Sequence, residues 1–211
     1  MKRYAGLNWL LPLFTRRFHT IEGLENFPKT GSYILAVNHI GSPDPMFIVA
    51  VVYRFTHQPV IFVVYDKLIK VFGKKFGYEW LGMVEKNENQ PSECLVQLRR
   101  ELEAGNPVGI FPEGMRNAAP FVMPGKTGVA RLAHWTGVPV IPCGFQGPFT
   151  WTVSQAIRAS LSPRRNMALR VGTPLIFPKR TENQITKDLL TSTTRTIMVA
   201  IGELAGMPSP Y

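Results

Sequence analysis

Two short segments of this 211-residue chain carry residue types that do chemistry at a defined spacing. The first is Asn38-His39-Ile40-Gly41-Ser42-Pro43-Asp44-Pro45. An imidazole held through one ring nitrogen by a carboxylate keeps the other nitrogen free to take a proton from a hydroxyl. Gly41 and Pro43 make the residues between them a turn, which folds Asp44 back toward His39. Asp44 ahead of Pro45 also reads as a helix N-cap followed by the first helical residue. The second segment is Phe111-Pro112-Glu113-Gly114-Met115-Arg116-Asn117. Gly114 permits a tight turn and close approach of a ligand. Arg116 presents a planar fork of donors suited to phosphate, and Glu113 is placed to orient that Arg or to hold a hydroxyl. Each segment taken alone has an ordinary reading too. One is a capping Asp beside an unrelated turn His, the other a surface Glu–Arg pair of little energetic weight.

Short apolar runs alternate with helix-like stretches around these segments. Tyr33–Val37 (YILAV) predicts a buried strand ending just before His39, and Pro45–Arg54 a helix after it. Val60–Tyr65 predicts a second strand, the region around Lys67–Phe76 a helix, and Gly82–Glu85 a short strand. Leu95, Leu98 and Leu102 share one face of a helix over residues 91–104, with Pro91 at its start and Gly105 beyond its end. Val108–Phe111 is the next strand, Gly125–Trp135 the next helix and Val138–Phe145 the strand after it. Met167–Val171 adds a further strand. The last helix is expected to open with the capping box Thr181-x-x-Gln184 and to carry its apolar stripe through Ile185, Leu189, Ile197, Ile201 and Leu204. Ala118–Pro124 and Ser160–Arg165 read as surface loops. Repeated strand–helix–strand units imply an α/β fold, a mostly parallel central sheet flanked by helices, in a single domain. Both chemical segments then begin where a buried strand ends, which is where open α/β sheets place ligands.

The two segments together resemble the motifs of the glycerolipid acyltransferase family, whose best-known members are the 1-acylglycerol-3-phosphate acyltransferases. Val138-Pro139-Val140-Ile141-Pro142 is similar to that family's fourth motif, and Gly172-Thr173-Pro174-Leu175 is also familiar from it. The resemblance runs from about Glu22 to Phe177. It implies direct attack of an acceptor hydroxyl on an acyl thioester, with His39 as general base and Asp44 as its partner. It implies a lysophospholipid acceptor, with acyl-CoA or acyl-carrier protein as co-substrate and no metal or bound cofactor. Arg116, Glu113, Gly114, Lys86 and Asn38 are the expected substrate-binding residues. The chain departs from the family's pattern at three positions. Lys86 stands where the second motif usually ends in Arg, keeping the charge without the bidentate fork. Met115 and Asn117 stand where Thr and Ser are common. These departures keep open a different lysolipid as acceptor.

Composition bounds the remaining alternatives. Lys and Arg number 24 against 14 Asp and Glu, a net charge of +10 with a pI near 9.9, so an anionic neighbour is required. A nucleic-acid partner is not expected, because no basic block interleaved with aromatics appears. An anionic membrane surface is. Residues 1–20 form a basic, amphipathic segment in which Leu7, Trp9, Leu10, Leu11, Leu13 and Phe14 lie between Lys2-Arg3 and Arg16-Arg17. Such a segment suits the headgroup plane at the cytoplasmic face of a membrane, in a peripheral or monotopic manner, and residues 21–211 form the acyltransferase domain. No run reaches the ~18 apolar residues that span a bilayer. Cys94 and Cys143 fit buried free thiols, and the four histidines have no metal-ligand spacing. Gly125-Lys126-Thr127 is similar to the end of a P-loop, but Pro120 and Pro124 stand where backbone donors would be needed. No G-x-S-x-G elbow supports a serine nucleophile. A non-catalytic protein that binds anionic lipid is the remaining rival, opposed by His39 and Asp44 alone.

Overall fold

In the computed structural model, residues 11–41, 43–65, 83–86, 91–148, 154–155, 158 and 161–211 are described; for 64–65, 83–86 and 91 the description covers backbone alone. Seven strands make one sheet in the order β1-β7-β6-β2-β5-β3-β4. They are β1 (Phe18–Glu22), β2 (Ile34–Val37), β3 (Ile61–Tyr65), β4 (Met83–Lys86), β5 (Val108–Ile110), β6 (Val140–Gln146) and β7 (Met167–Val171). Pairing is parallel throughout except between β6 and β7.

β2 sits near the middle of the sheet and explains its layers. All four of its residues are buried, and successive side chains point to opposite faces. Leu35 and Val37 enter a core with Phe47, Ile48, Val51, Val52, Ile141 and Cys143. That core lies under helix α2 (Asp44–Thr56), against which the short α1 (Leu11–Thr15) packs. Ile34 and Ala36 enter a second core with Leu98, Leu102, Val129, Leu132, Ile197 and Ile201. Three helices supply it: α3 (Pro91–Glu103), α4 (Gly128–Thr136) and α5 (Lys187–Ala205). A strand buried on both faces reads as an unbroken apolar run, which is what YILAV is. Cys94 and Cys143 are both buried, and neither is in a disulfide.

Several expected elements shift. Phe18–Glu22 is a strand pairing in parallel with β7, so the boundary drawn at residue 20 falls inside the sheet. Its alternation is weak, with Phe18 alone buried, and sequence pattern gives little warning of such an edge strand. The Thr181–Gln184 capping box exists, but it heads a short 3-10 turn over Glu182–Gln184. The last helix begins at Lys187, where Thr186 accepts a hydrogen bond from the Leu189 amide. Ile185 therefore leaves the apolar stripe and Leu190 joins it, beside Ile197 and Ile201. α4 begins at Gly128, not Gly125. The helix expected around Lys67–Phe76 lies outside the described residues.

α5 approaches β6 closely enough to need a missing side chain. A Cβ on Gly144 would stand 2.1 Å from both the Ala205 nitrogen and the Leu204 carbonyl carbon, atoms of the backbone that cannot swing aside. Gly144→Ala is expected to destabilise the fold by about 3 kcal/mol or more, read as a lower urea midpoint at unchanged m-value.

Candidate active site

Because β2 and β5 pair in parallel, with Ala36 opposite Ile110, both release their chains at the same edge of the sheet. The loop after β2 carries His39 and the loop after β5 carries Glu113–Asn117, so residues far apart in sequence meet there. Asn38, the first residue beyond β2, does not face that opening. It is buried, donating from Nδ2 to the Phe145 carbonyl (2.9 Å) while its Oδ1 accepts from the Phe145 amide (2.7 Å). Expected among the substrate-binding residues, Asn38 instead extends the sheet ladder by one step and fixes where the loop leaves β6.

His39 Nδ1 lies 3.0 Å from Asp44 Oδ2. The same oxygen accepts the backbone amides of Ile40 and Gly41, each at 2.7 Å. Asp44 is the first residue of α2 and Pro43 the N-cap. The expected capping role is thus replaced by a backward reach into the turn, while the helix N-terminus still favours its negative charge. An oxygen that already accepts two amides is an acceptor toward the ring as well, which fixes the proton on Nδ1 and leaves Nε2 basic. Among the described residues Nε2 has no hydrogen-bond partner, and the side chain is 14% exposed against 2% for Asp44. Burial pushes the Asp44 carboxyl above its usual range, while His39 and the Gly41 and Ile40 amides pull it back.

The β5 loop closes over this pair. The His39 ring stacks on Phe111, centroids 4.0 Å apart at 15°, and the Asn117 amide donates to the His39 carbonyl (2.7 Å). Glu113, 3% exposed, turns inward: its Oε1 accepts the His39 amide at 2.9 Å and its Oε2 accepts Asn117 Nδ2 and the Met123 amide. Its carboxylate therefore faces the protein and not the opening where a hydroxyl would arrive. Gly114 has φ +72°, which favours glycine. The arm of Lys126 fills the space a side chain would take there, since a Cβ would lie 2.8 Å from its Cε and 3.0 Å from its Nζ. Lys126, itself exposed, thus lies alongside Gly114. Arg116 is half-buried on this loop.

Lys86 ends β4, opposite Tyr65; its side chain lies outside the described residues. The Gly41 amide donates to Asp44 and the Gly114 amide to the Phe111 carbonyl, so neither is open to stabilise an oxyanion. The 118–124 stretch is more than a surface loop. Val122 is fully buried, its amide donates to the Pro208 carbonyl, and the Gly125 amide donates to Tyr211 Oη. The chain's last residues brace the loop, a contact with no local sequence signal.

Comparison with known proteins now decides the family. Residues 19–146 match the family described as Acyltransferase. The chain belongs to that family. The chain is 27% identical over 153 residues to a 1-acyl-sn-glycerol-3-phosphate acyltransferase of Bacillus subtilis, covering 72% of this chain and 70% of the relative. It is 26% identical over 125 residues to the enzyme of that name from Borreliella burgdorferi, 58% of this chain and 48% of the relative. It is 31% identical over 133 residues to the chloroplastic BAT2 enzyme of Brassica napus, 60% of this chain and 37% of the relative. The chain thus spans less than half the length of two of these relatives. Its fold matches that of the 1-acyl-sn-glycerophosphate (LPA) acyltransferase PlsC of Thermotoga maritima, with a TM-score of 0.64 at 20% identity over 95% of this chain and 80% of that one.

Asp44→Asn tests the dyad. The amide can still accept from Ile40 and Gly41 but no longer enforces the Nδ1–H tautomer. Turnover is expected to fall on the order of 10³-fold with the fold intact by circular dichroism. The pH dependence follows from the raised carboxyl. Burial favours its neutral form, so the contribution of Asp44 to stability is full at low pH and lost as pH rises through its folded pKa. The thermal midpoint of the wild type relative to Asp44→Asn should therefore be highest below the ordinary carboxylate range and decline as pH rises above it.

Proposed function

We propose that this chain moves a fatty acyl group from acyl-CoA or acyl-carrier protein to the free hydroxyl of a lysophosphatidic acid-like acceptor, a step of phospholipid biosynthesis. The observation that carries the reading is the His39–Asp44 pair, with Nε2 unpartnered among the described residues, set against a loop bearing Arg116. His39 Nε2 takes the hydroxyl proton as the acceptor oxygen attacks the thioester carbonyl. Asp44 stabilises the imidazolium that forms. The tetrahedral adduct then expels the thiolate: a C–O bond forms, the C–S bond breaks, and the proton on Nε2 passes to sulfur. No covalent enzyme intermediate is needed.

Arg116, with Lys86 and Lys126 as further cations, holds the acceptor phosphate and so places the hydroxyl at the base. Exposed Met115 and Phe121 on the same loop suit an acceptor whose anionic headgroup is joined to an acyl chain. Between α1 and α2, a mostly apolar groove of about 510 Å³ is lined by Pro12, Ile21, Val51 and Phe55, with Arg16 and Arg54 among them. No helix among the described residues is long and apolar enough to cross a membrane. We place the protein against anionic lipid at the cytoplasmic face, in a peripheral or monotopic manner, with the segment ahead of β1 as the contact. Within the expected 1–20 stretch Phe14 packs on Phe47, and Arg17 and Phe18 are buried, so these face the protein. Lys86 in place of Arg favours a second reading within the same chemistry, an acceptor with a different headgroup.

The test uses purified protein, vesicles containing lysophosphatidic acid, and a panel of acyl-CoA and acyl-carrier-protein donors, with thiol release and lipid product followed together. Transfer that falls about 10³-fold in His39→Ala, while vesicle binding persists, supports the reading. Transfer confined to other lysolipids moves the acceptor assignment. Vesicle binding without transfer to any lysolipid leaves a lipid-binding protein. Arg116→Ala is expected to raise the acceptor KM about tenfold or more with little change in kcat, and Arg116→Lys to recover part of it.

A further inference from the structure

Four features of His39 are tied down, and only one of them by Asp44. The ring nitrogen Nδ1 belongs to Asp44. The ring face belongs to Phe111, which itself packs on Phe62 with centroids 5.4 Å apart. The backbone amide belongs to Glu113, and the backbone carbonyl to the Asn117 amide. Three of the four therefore come from the β5 loop, the one that carries Arg116.

Glu113 is the joint of this arrangement. A buried carboxylate costs free energy unless donors surround it, and three neutral N–H groups converge on this one: His39, Asn117 and Met123. Asn117 is spent in the same network, donating to Glu113 Oε2 and to the Phe121 carbonyl while accepting from the Ala119 amide. A shorter hydroxyl side chain at position 117 would not span those three partners. We infer that Glu113 is a positioning residue that sets the place of the general base by holding His39 through its backbone, with Asn117 keeping Glu113 aimed. Asp44 sets the tautomer and rotation of the ring; Glu113 sets where the ring stands relative to the cationic loop. Acceptor capture and base placement then share one rigid piece of backbone, so a phosphate on Arg116 and a hydroxyl at Nε2 are registered to each other. This role rests on the acyl-transfer reading for its kinetics, but not for its geometry.

Glu113→Gln keeps size and removes one acceptor, so an amide N–H must face either the His39 amide or the Asn117 and Met123 donors. Displacing a base by about 1 Å costs on the order of 10²-fold in rate. The expected result is a 10–100-fold loss in kcat with the acceptor KM within about threefold of wild type. Asn117→Ala should show a smaller loss with the same split. A raised KM at unchanged kcat would mean that Glu113 touches the acceptor and would overturn the inference. Independently of any activity, the ring-proton shifts of His39, set by the Phe111 ring 4.0 Å away, should move in Glu113→Gln, while its imidazole ¹⁵N shifts keep reporting the Nδ1–H tautomer that Asp44 sets. Unchanged His39 ring-proton shifts in a folded Glu113→Gln protein overturn the inference even if acyl transfer is found. If the wild type transfers no acyl group, the proposed reaction fails while the spectrum still decides the role of Glu113. Should Glu113→Gln not fold, Asn117→Ala carries both measurements.

Discussion

Parallel pairing of β2 with β5 is the constraint on which the site depends. Parallel neighbours deliver their following loops to one edge, whereas an antiparallel pair would send them to opposite ends. With Ala36 opposite Ile110, the chain leaves both strands nearly in step, and His39 comes within hydrogen-bonding reach of Glu113. β6 on the other side of β2 completes the placement, because Asn38 carries the ladder one residue further onto Phe145. His39 therefore follows closely on a strand gripped from both sides, and its position is a property of the sheet more than of its own turn.

Two buried carboxylates, Asp44 and Glu113, lie at this edge, and each needs compensation that the fold supplies through backbone amides. Asp44 collects those of Ile40 and Gly41, and Glu113 those of His39 and Met123. Amides fixed in loops cost little to reorganise when charge moves on an imidazole beside them. Gly41 is one of these donors, and the Gly114 amide closes its own turn onto the Phe111 carbonyl, so neither is open toward a substrate. Polar groups turned inward here leave the outward side to cations and apolar side chains, Arg116, Lys126, Met115 and Phe121. That division of labour fits a ligand with an anionic head and an acyl tail.

Legibility in the sequence tracked how local each determinant was. Strands buried on both faces, such as YILAV, announce themselves by composition, and α3 by the spacing of Leu95, Leu98 and Leu102. The His39–Asp44 contact was legible too, because a short connection that contains Gly41 and Pro43 has few ways to fold. β1 was not, since an edge strand with one buried residue lacks a clear period. The capping box at Thr181 was real as chemistry but closed only a 3-10 turn, because a second cap at Thr186 starts the longer helix.

What the sequence by itself determined was the residue chemistry, the α/β alternation and the dyad, all set by contacts within a few residues. What only the tertiary structure decided was the direction in which Asn38, Glu113 and Lys126 point. Asn38 and Glu113 read as ligands of a substrate, yet one pairs with β6 and the other holds the His39 backbone, while Lys126 lies across Gly114. Their partners lie 107, 74 and 12 residues away in the chain. A side chain's motif gives its donors and acceptors, but which groups meet them depends on how distant strands pair.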